Sequence, residues 1–598
     1  MPKILVNEEN FYALLGHRFE NPEALADALV CAKAELDEDS DKTLPPQERT
    51  LKIELNDTNR PDLWSTAGLV RQLKVYQGGA IPDYPFFSSP GNIKTMDSQG
   101  NPLRQVLVDG SVQGVRPFLM GFIASGKEIT DAALRDIIQS QEKLAWNYGR
   151  KRRTISMGLY RIAGIEWPVR YSAVPPDSVS FIPLQWDSPL TLREILTEHP
   201  KGREYAFILE NAALHPLLTD NRGRVLSYPP IINSADIGAV QVGDQDLFVE
   251  LTGTDLKTLT LAASIVACDF ADLGFAIDPI AVVYDYDTPM GRSIASPYYF
   301  QERIFCSLKR IEQFLGEKLD ANECLEALHR MGLRAEGAVD CERGATDLTE
   351  GLRVYPPEYR NDFLHAVDVM EDVAIGRGLR SFKPARPNAF TIGRLTPITQ
   401  YSRQVKELFI GMGYHEMIFN YLGSRKDLVE NMRSDGSRIV RIANPMTENY
   451  EYVRDSILSS LMQSESTSGH AAYPHRIFEI GKVAYRDDQQ NYGTATRQYT
   501  GFLLAGEDAN FNTLAGQLQT LFYYCNRDYQ VEAAEDARFI PGRSAYLLYA
   551  GKPVGIFGEL HPELLERWGV TQPCAAGEID LEALLDASLE TFYSTQGE

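Results

Sequence analysis

The stretch YPFFSSPGNIKTMDSQGNP, residues 84–102, concentrates Pro, Gly and Ser and interrupts the apolar patterning on either side of it. A second break, SFKPARPNAFTIG, covers 381–393. A single hydrophobic core stops growing well short of 598 residues, so breaks of this kind predict separately packed parts, three to five of them. No run of about eighteen apolar residues occurs, which predicts no membrane span. The start, MPKILVNEENFYALLGHRF, lacks the basic region and long apolar core of a secretory signal. Seven cysteines, odd in number and widely spread without a C-x-x-C, predict reduced structural thiols and a cytoplasmic protein.

Between the breaks, hydrophobic periodicity sets the elements. TLKIELNDTNRPDLWSTAGLVRQLKVYQGG reads as strand, loop and helix, with Ser65 or Thr66 as cap and Gly78-Gly79 as terminator. Residues 103–275 open with two β-like runs in RQVLVDGSVQGVRPFLMGFIASG, then a helix after Thr130 carrying Leu134, Ile137, Ile138 and Leu144. Short strands follow in SFIPLQWD, REYAFILE, GRVLSYPPIIN and QDLFVELTGTD, and a helix from Asp255 to about Phe270 closes the block. The block at 293–380 reads as helical, in RIFCSLKRIEQFLG, ANECLEALHRMGL and RNDFLHAVDVMEDVAIGRGL. The remainder alternates a helix, QVKELFIGMGY, with strands in SRIVRIAN, HRIFEIGKVAY, YTGFLLAG and AYLLYAGKPVGIFGEL, a pattern that suits an antiparallel sheet with flanking helices. The fold class is α+β multidomain.

Net charge is −23, so the average field repels a phosphate backbone and excludes a general nucleic-acid binder. RNA contact would have to come from local basic patches or a partner chain. The clearest patch is YGRKRRTISMGLYR, 148–161, readable equally as a solvated turn between helix and strand. RVLSYPPIINSADIG, 224–238, fixes two φ angles and removes two backbone donors before offering small polar groups, a stiffness that a solvated loop does not need. In LFVELT, strand alternation puts Glu250 and Thr252 on one side. On a helix over RNDFLHAVDVMEDVAIG, Asp362, Asp368, Glu371 and Asp372 form an acidic row. One or two of them could hold Mg²⁺ with waters, or all could face solvent near a helix start.

Four of these stretches together resemble the β subunit of phenylalanyl-tRNA synthetase in its archaeal and eukaryotic form. They are NDTNRPDLWSTAGLVRQLKVY; HPLLTDNRGRVLSYPPIINSADIG followed by LFVELTGTD; PPEYRNDFLHAVDVMEDVAIGRG; and a C-terminal set, NPMTENYEYVRDSILSSLM, RIFEIGKVAY, FIPGRSAYLL and GIFGELHPELL. They run in family order across roughly 50–565. The resemblance implies an N-terminal domain (1–85), an α/β editing domain of B3/B4 type (103–275), a small helical, winged-helix-like B5 module (293–380) and a class II synthetase-like antiparallel sheet with helices (390–598). It also implies an α2β2 heterotetramer in which the α subunit activates phenylalanine with ATP and charges tRNA(Phe), while the β chain binds tRNA and hydrolyses mischarged tyrosyl-tRNA.

Editing has an energetic reason: an apolar charging pocket rejects an added hydroxyl by only ~10²-fold. By motif correspondence the editing residues implied are Leu218 against the ring, Ser227 near the ester, Glu250 accepting the phenolic hydrogen bond, and Thr252 holding a water or the ester carbonyl. No side-chain nucleophile stands out, since Cys268 has no adjacent histidine; positioning a water would carry the rate. The same correspondence implies Mg²⁺ at Asp362, Asp368, Glu371 and Asp372, shared with the α chain.

The C-terminal block reads as catalytically silent. RIFEIGKVAY offers Phe478-Glu479 where catalytic class II domains carry Arg-x-Glu, no Gly-x-Gly-x-Gly precedes a Glu-Arg near the end, and no Walker loop occurs. Arg543 in FIPGRSAY has a single glycine before it, and Arg454 in YVRDSIL reads as a structural or interface residue. Two other readings stay open: a non-catalytic scaffold that binds tRNA and the α chain but has lost editing, and a self-sufficient synthetase.

Overall fold

The computed structural model describes residues 2–56, 59–341, 348–384, 386–387 and 391–585. Asp57 and Thr58 of the first motif, residues 385 and 388–390 of the 381–393 segment, and the last thirteen positions of the expected C-terminal domain lie outside the described residues. The chain forms two compact units, Met1–Ala385 and Arg386–Glu598. Among the described residues no helix is long and apolar enough to cross a membrane, no cysteine is in a disulfide, and six of the seven cysteines are buried.

The first unit begins with a three-stranded antiparallel sheet, β1 (Lys3–Asn7), β2 (Ala34–Glu38) and β3 (Thr50–Leu55), with β3 in the middle. Helix α1 (Thr66–Tyr76) follows, capped by the Ser65 hydroxyl accepting from Gly68 N. Capping at this position satisfies an amide that the first turn leaves without a partner.

A ten-stranded mixed sheet dominates the unit. Its strands include β4 (Gln105–Val108), β5 (Phe118–Ser125), β6 (Ile155–Arg161), β7 (Val169–Val174), β8 (His215–Thr219), β9 (Val225–Tyr228), β10 (Ile232–Asn233), β11 (Leu247–Gly253) and β12 (Ala276–Tyr284). The spatial order is β10-β9-β8-β7-β4-β12-β5-β11-β6. Helix α2 (Asp131–Lys143) starts after its expected cap Thr130, and α3 (Leu256–Asp272) starts after Asp255, whose side chain accepts from Thr258 N. The α3 interior, Leu256 to Phe270, is almost wholly buried against the sheet, as an apolar helix must be. The sheet curls until β10 and β6, at its two ends, meet: Asn233 Nδ2 donates to Leu159 O at 3.4 Å. One continuous core runs from Ile4 to Ile375, so the 84–102 segment does not part it.

Two local expectations fail here. REYAFILE is not a strand; Pro200–Tyr205 is helical and Ala206–Ile208 continues as a 3₁₀ turn. Pro200 sits at the first helical turn and His199 caps it, a local start signal stronger than the apolar run. SFIPLQWD yields only the two-residue strand Ser180–Phe181.

The block at 293–380 is less helical than read. Ile304–Ser307 is a strand, paired in a three-stranded antiparallel sheet with Arg334–Asp340 and Thr349–Tyr355. Helices α4 (Leu308–Leu315), α5 (Ala321–Arg330) and α6 (Ala366–Arg377) pack with it.

The second unit holds a seven-stranded sheet, antiparallel except for its short edge strand His415–Glu416. Its long members are His475–Arg486, then Thr494–Ala505, Cys574–Asp580, Lys552–Leu560 and Phe539–Tyr549. Helices Pro397–Gly411 and Phe511–Tyr524 cover one face through Phe409, Leu514 and Leu518; Leu458–Thr467 covers the other through Leu458 and Leu461. SRIVRIAN gives only Val440–Arg441 as strand.

Candidate active site

The four editing candidates lie on three strands of the curled sheet. Leu218 on β8 is directly opposite Ser227 on β9. Glu250 and Thr252 lie on β11, which pairs with β5 on one side and β6 on the other. All four side chains are buried. Closure of the sheet brings the two halves together through a residue that the motif comparison did not single out. The Tyr160 hydroxyl, from β6, lies 2.7 Å from Ser227 Oγ and 2.9 Å from Glu250 Oε2. A phenol has one proton to give, so the donor chain runs from Ser227 through Tyr160 to the Glu250 carboxylate.

Glu250 Oε1 is buried and has no aligned hydrogen-bond partner among the described residues. Burial pushes the Glu250 carboxyl up to about 7, against the pull of the Tyr160 hydrogen bond, the Arg116 charge and the Thr252 hydroxyl. Space beside that carboxyl is kept by Gly158. Gly121 and Gly158 are its register partners on β5 and β6, and a Cβ at 158 would run into Tyr160 Oη and Glu250 Oε2.

Thr252 is held by a different group. The fully buried Arg116 donates from Nε to Thr252 Oγ1 at 2.8 Å, and from Nη2 to Thr252 O at 2.6 Å and Ser156 Oγ at 3.0 Å. The Pro-Pro turn is also clamped. Arg152 Nη1 donates to Pro230 O and Ile231 O, each at 3.2 Å, and the Arg152 guanidinium lies over the Tyr205 ring at 4.3 Å. The rigidity of 224–238 thus holds Ser227 against the far end of the sheet. Ser156, Gly158 and Tyr160 alternate on one face of β6, a period-two signal legible in TISMGLYR. Arg116, in the loop before β5, had no such signal. Cys268 is buried in α3 with its thiol pushed well up by burial, and takes no part in the site.

The acidic row is corrected. Asp362 is not on a helix with the other three, because α6 begins at Ala366. Asp368 faces back over the start of α6, accepting from Leu364 N and His365 N at 2.6 Å each. Glu371 points outward to Lys33 Nζ at 2.8 Å. Asp362 and Asp372 converge, but on a cation already present: Arg360 grips Asp362 with two bonds, of 2.7 and 2.6 Å, and lies 3.0 Å from Asp372 Oδ2. Burial alone would raise Asp362; the charge and hydrogen bonds of Arg360, with Arg60 behind, hold it at about 2. No group of three or more His, Cys, Asp or Glu side chains among the described residues is arranged to hold a metal ion. The four carboxylates of this chain therefore do not fit Mg²⁺ as a set: they point apart, and the buried pair is neutralised by a guanidinium.

In the second unit, Arg454 and Glu479 pair at 2.9 and 2.7 Å, both buried, and Arg454 also donates to Ser460 Oγ at 2.9 Å. Arg543 pairs with Glu559 at 2.6 Å. The arginine and glutamate of the would-be nucleotide site are thus spent on each other or on neighbours.

A family model described as the phenylalanyl tRNA synthetase beta chain CLM domain matches residues 384–581, and one for the tRNA synthetase B5 domain matches 304–379. The sequence is 45% identical to the phenylalanine–tRNA ligase beta subunit of Treponema pallidum subsp. pallidum, and 43% identical to that of Borreliella burgdorferi. Each alignment covers 98% of this chain and 100% of the relative. In structure the chain is similar to an N-terminal fragment of the phenylalanyl-tRNA synthetase beta subunit from Pyrococcus horikoshii, with TM-score 0.54 and 32% identity, over 63% of this chain and 100% of the fragment. Identity of this order along the whole of both chains means that this chain belongs to the phenylalanine–tRNA ligase beta-subunit family.

Proposed function

We propose that this chain is the β subunit of a phenylalanine–tRNA ligase of archaeal/eukaryotic type, and that it hydrolyses tyrosyl-tRNA(Phe) while an α subunit activates phenylalanine and charges the tRNA. The likeness to an archaeal N-terminal fragment supports the type. The layout we propose is the one read from the sequence: 1–85, an editing domain at 103–275, a B5-like module at 293–380 and a catalytically silent synthetase-like domain at 390–598. The assembly is α2β2, soluble in the cytoplasm. Mg²⁺ serves ATP chemistry on the α subunit; within this chain it is not assigned to Asp362, Asp368, Glu371 and Asp372.

The observation that carries the editing reading is the buried Glu250 carboxyl, whose Oε1 has no aligned hydrogen bond and which only the Tyr160 and Thr252 hydroxyls approach, beside the glycine-cleared face of β6. A buried acceptor left unmade costs free energy, so it favours a ligand that brings a hydroxyl. Tyrosine brings one and phenylalanine does not. Leu218 offers apolar surface to the ring, Ser227 and Thr252 offer hydroxyls toward the ester, and Arg116 fixes Thr252. The rate rests on an oriented water in the space that the substrate opens. Since the four side chains are closed over, the ring must displace the Tyr160 phenol to reach Glu250.

The test is to mix the purified α/β complex with preformed tyrosyl-tRNA(Phe) and follow the ester. We expect its half-life to shorten and that of phenylalanyl-tRNA(Phe) to hold. A tyrosyl ester that lasts as long as without protein leaves the scaffold reading standing and overturns this one.

A further inference from the structure

The basic motif at 148–161 remains to be explained. Between α2 and β6 the chain makes a turn in which three consecutive residues are left-handed: Arg150 at φ 49°, Lys151 at 56° and Arg152 at 63°. Non-glycine residues avoid this region singly, and a run of three persists only where the surroundings over-determine it. Here Lys151 N donates to Trp146 O and Arg152 N to Ala145 O, each at 2.8 Å, while Arg116 Nη1 donates to Arg152 O at 3.2 Å and Arg153 O at 3.0 Å.

The strain holds three cations outward. Arg150, Lys151 and Arg153 are exposed, and beside them stand two exposed rings, Trp146 at 46% and Phe207 at 37%. The Lys151 ammonium lies 5.3 Å from the Trp146 ring centre and the Arg153 guanidinium 4.9 Å from that of Phe207. These five residues, with Asn147 and Thr154, line a concavity of about 730 Å³ that contains no carboxylate, in a chain of net charge −23. It shares Trp146, Asn147, Arg150 and Thr154 with a larger groove of about 1540 Å³.

We propose that the 150–153 turn, with Trp146 and Phe207, is the docking platform for the single-stranded 3′ end of an RNA. Cations spaced along a turn match consecutive phosphates, and exposed ring faces match unstacked bases. A duplex would satisfy the cations and leave the rings idle, because its bases are already stacked. An acidic peptide would do the same. The inference rests on the editing reading and extends it, for the platform is wired to the pocket: Arg116 joins the turn's carbonyls to Thr252, and Arg152 joins the turn to the Pro-Pro segment after Ser227. A strand docked on the turn therefore bears on the same two guanidiniums that position the pocket.

The experiment uses the α/β complex and fluorescence anisotropy with three probes: a short single-stranded RNA, the same sequence as a blunt duplex, and polyglutamate. The variants are Trp146→Ala and Lys151→Gln/Arg153→Gln, all at exposed positions. We expect Trp146→Ala to weaken single-strand binding about tenfold. The double variant should flatten the slope of log K against log salt by about 1.4, two phosphates' worth on a single strand. For tyrosyl-tRNA hydrolysis the cost should fall on KM rather than kcat. Unchanged single-strand affinity in both variants overturns the platform, as does an equal loss for duplex or polyglutamate. Wild-type hydrolysis of tyrosyl-adenosine, which has no strand to dock, reports on the editing reading by itself.

Discussion

Replacing Glu250 with Gln keeps shape and an acceptor for Tyr160 but removes a charge that the pocket holds at a cost. The carboxyl is pushed from its ordinary 4.5 to about 7 by burial. A raised carboxylate pKa means that the folded state binds the proton more tightly than the unfolded state. The group's contribution is fully present below about 4.5 and is lost as pH rises through about 7. Two and a half units correspond to about 3 kcal/mol at pH above 8. Glu250→Gln should therefore leave the complex near wild-type stability at pH 5 and make it more stable than wild type at pH 8.5. For a unit of this length 3 kcal/mol corresponds to about 4 °C in Tm. Differential scanning calorimetry of wild type and variant across pH 5–8.5 reads the difference. A Tm gap that stays flat with pH would refute the buried carboxylate held at a cost and the editing role built on it. The same variant should lose tyrosyl-tRNA hydrolysis while charging with phenylalanine continues.

Gly158→Ala puts a methyl group into Tyr160 Oη and Glu250 Oε2, so we expect overpacking of about 1–3 kcal/mol and loss of tyrosyl-tRNA hydrolysis, read by ester decay alongside phenylalanine charging. Arg454→Ala leaves Glu479 buried without its partner and should destabilise the second unit by about 3–5 kcal/mol, whereas Arg454→Met with Glu479→Leu recovers most of that loss in thermal melts. Arg360→Gln strands Asp362 and Asp372. The loss, again about 3–5 kcal/mol, should be largest at neutral pH and shrink in acid as the two carboxyls protonate, while chelating Mg²⁺ leaves the wild-type melt unchanged. The isolated chain should give no phenylalanine-dependent pyrophosphate exchange, because Arg454 and Arg543 are already bound to Glu479 and Glu559.

Helix starts were legible because a cap is a local event. Ser65, Thr130 and Asp255 each bond an amide three residues on, and a side chain's own reach decides that. The alternation that placed Glu250 and Thr252 on one side of a strand is equally local. Failures came where short-range signals competed. REYAFILE has a strand's composition but follows a capped Pro200, and the helical reading of RNDFLHAVD ignored that Asp362 answers to Arg360 rather than to a helix ladder.

By itself the sequence determined which stretches bury a face, where helices capped by Ser65 and Thr130 begin, and, through motif order, the family. Only the tertiary structure decided that β6 and β9, over sixty residues apart, meet so that Tyr160 bridges Ser227 and Glu250. It alone revealed that one guanidinium joins residue 116 to 252, and that Arg360 occupies the space between two aspartates expected to hold a metal. The physical reason is that sheet closure and ion-pair choice depend on which residues become neighbours after long loops close. Periodicity and capping carry no information about those distances.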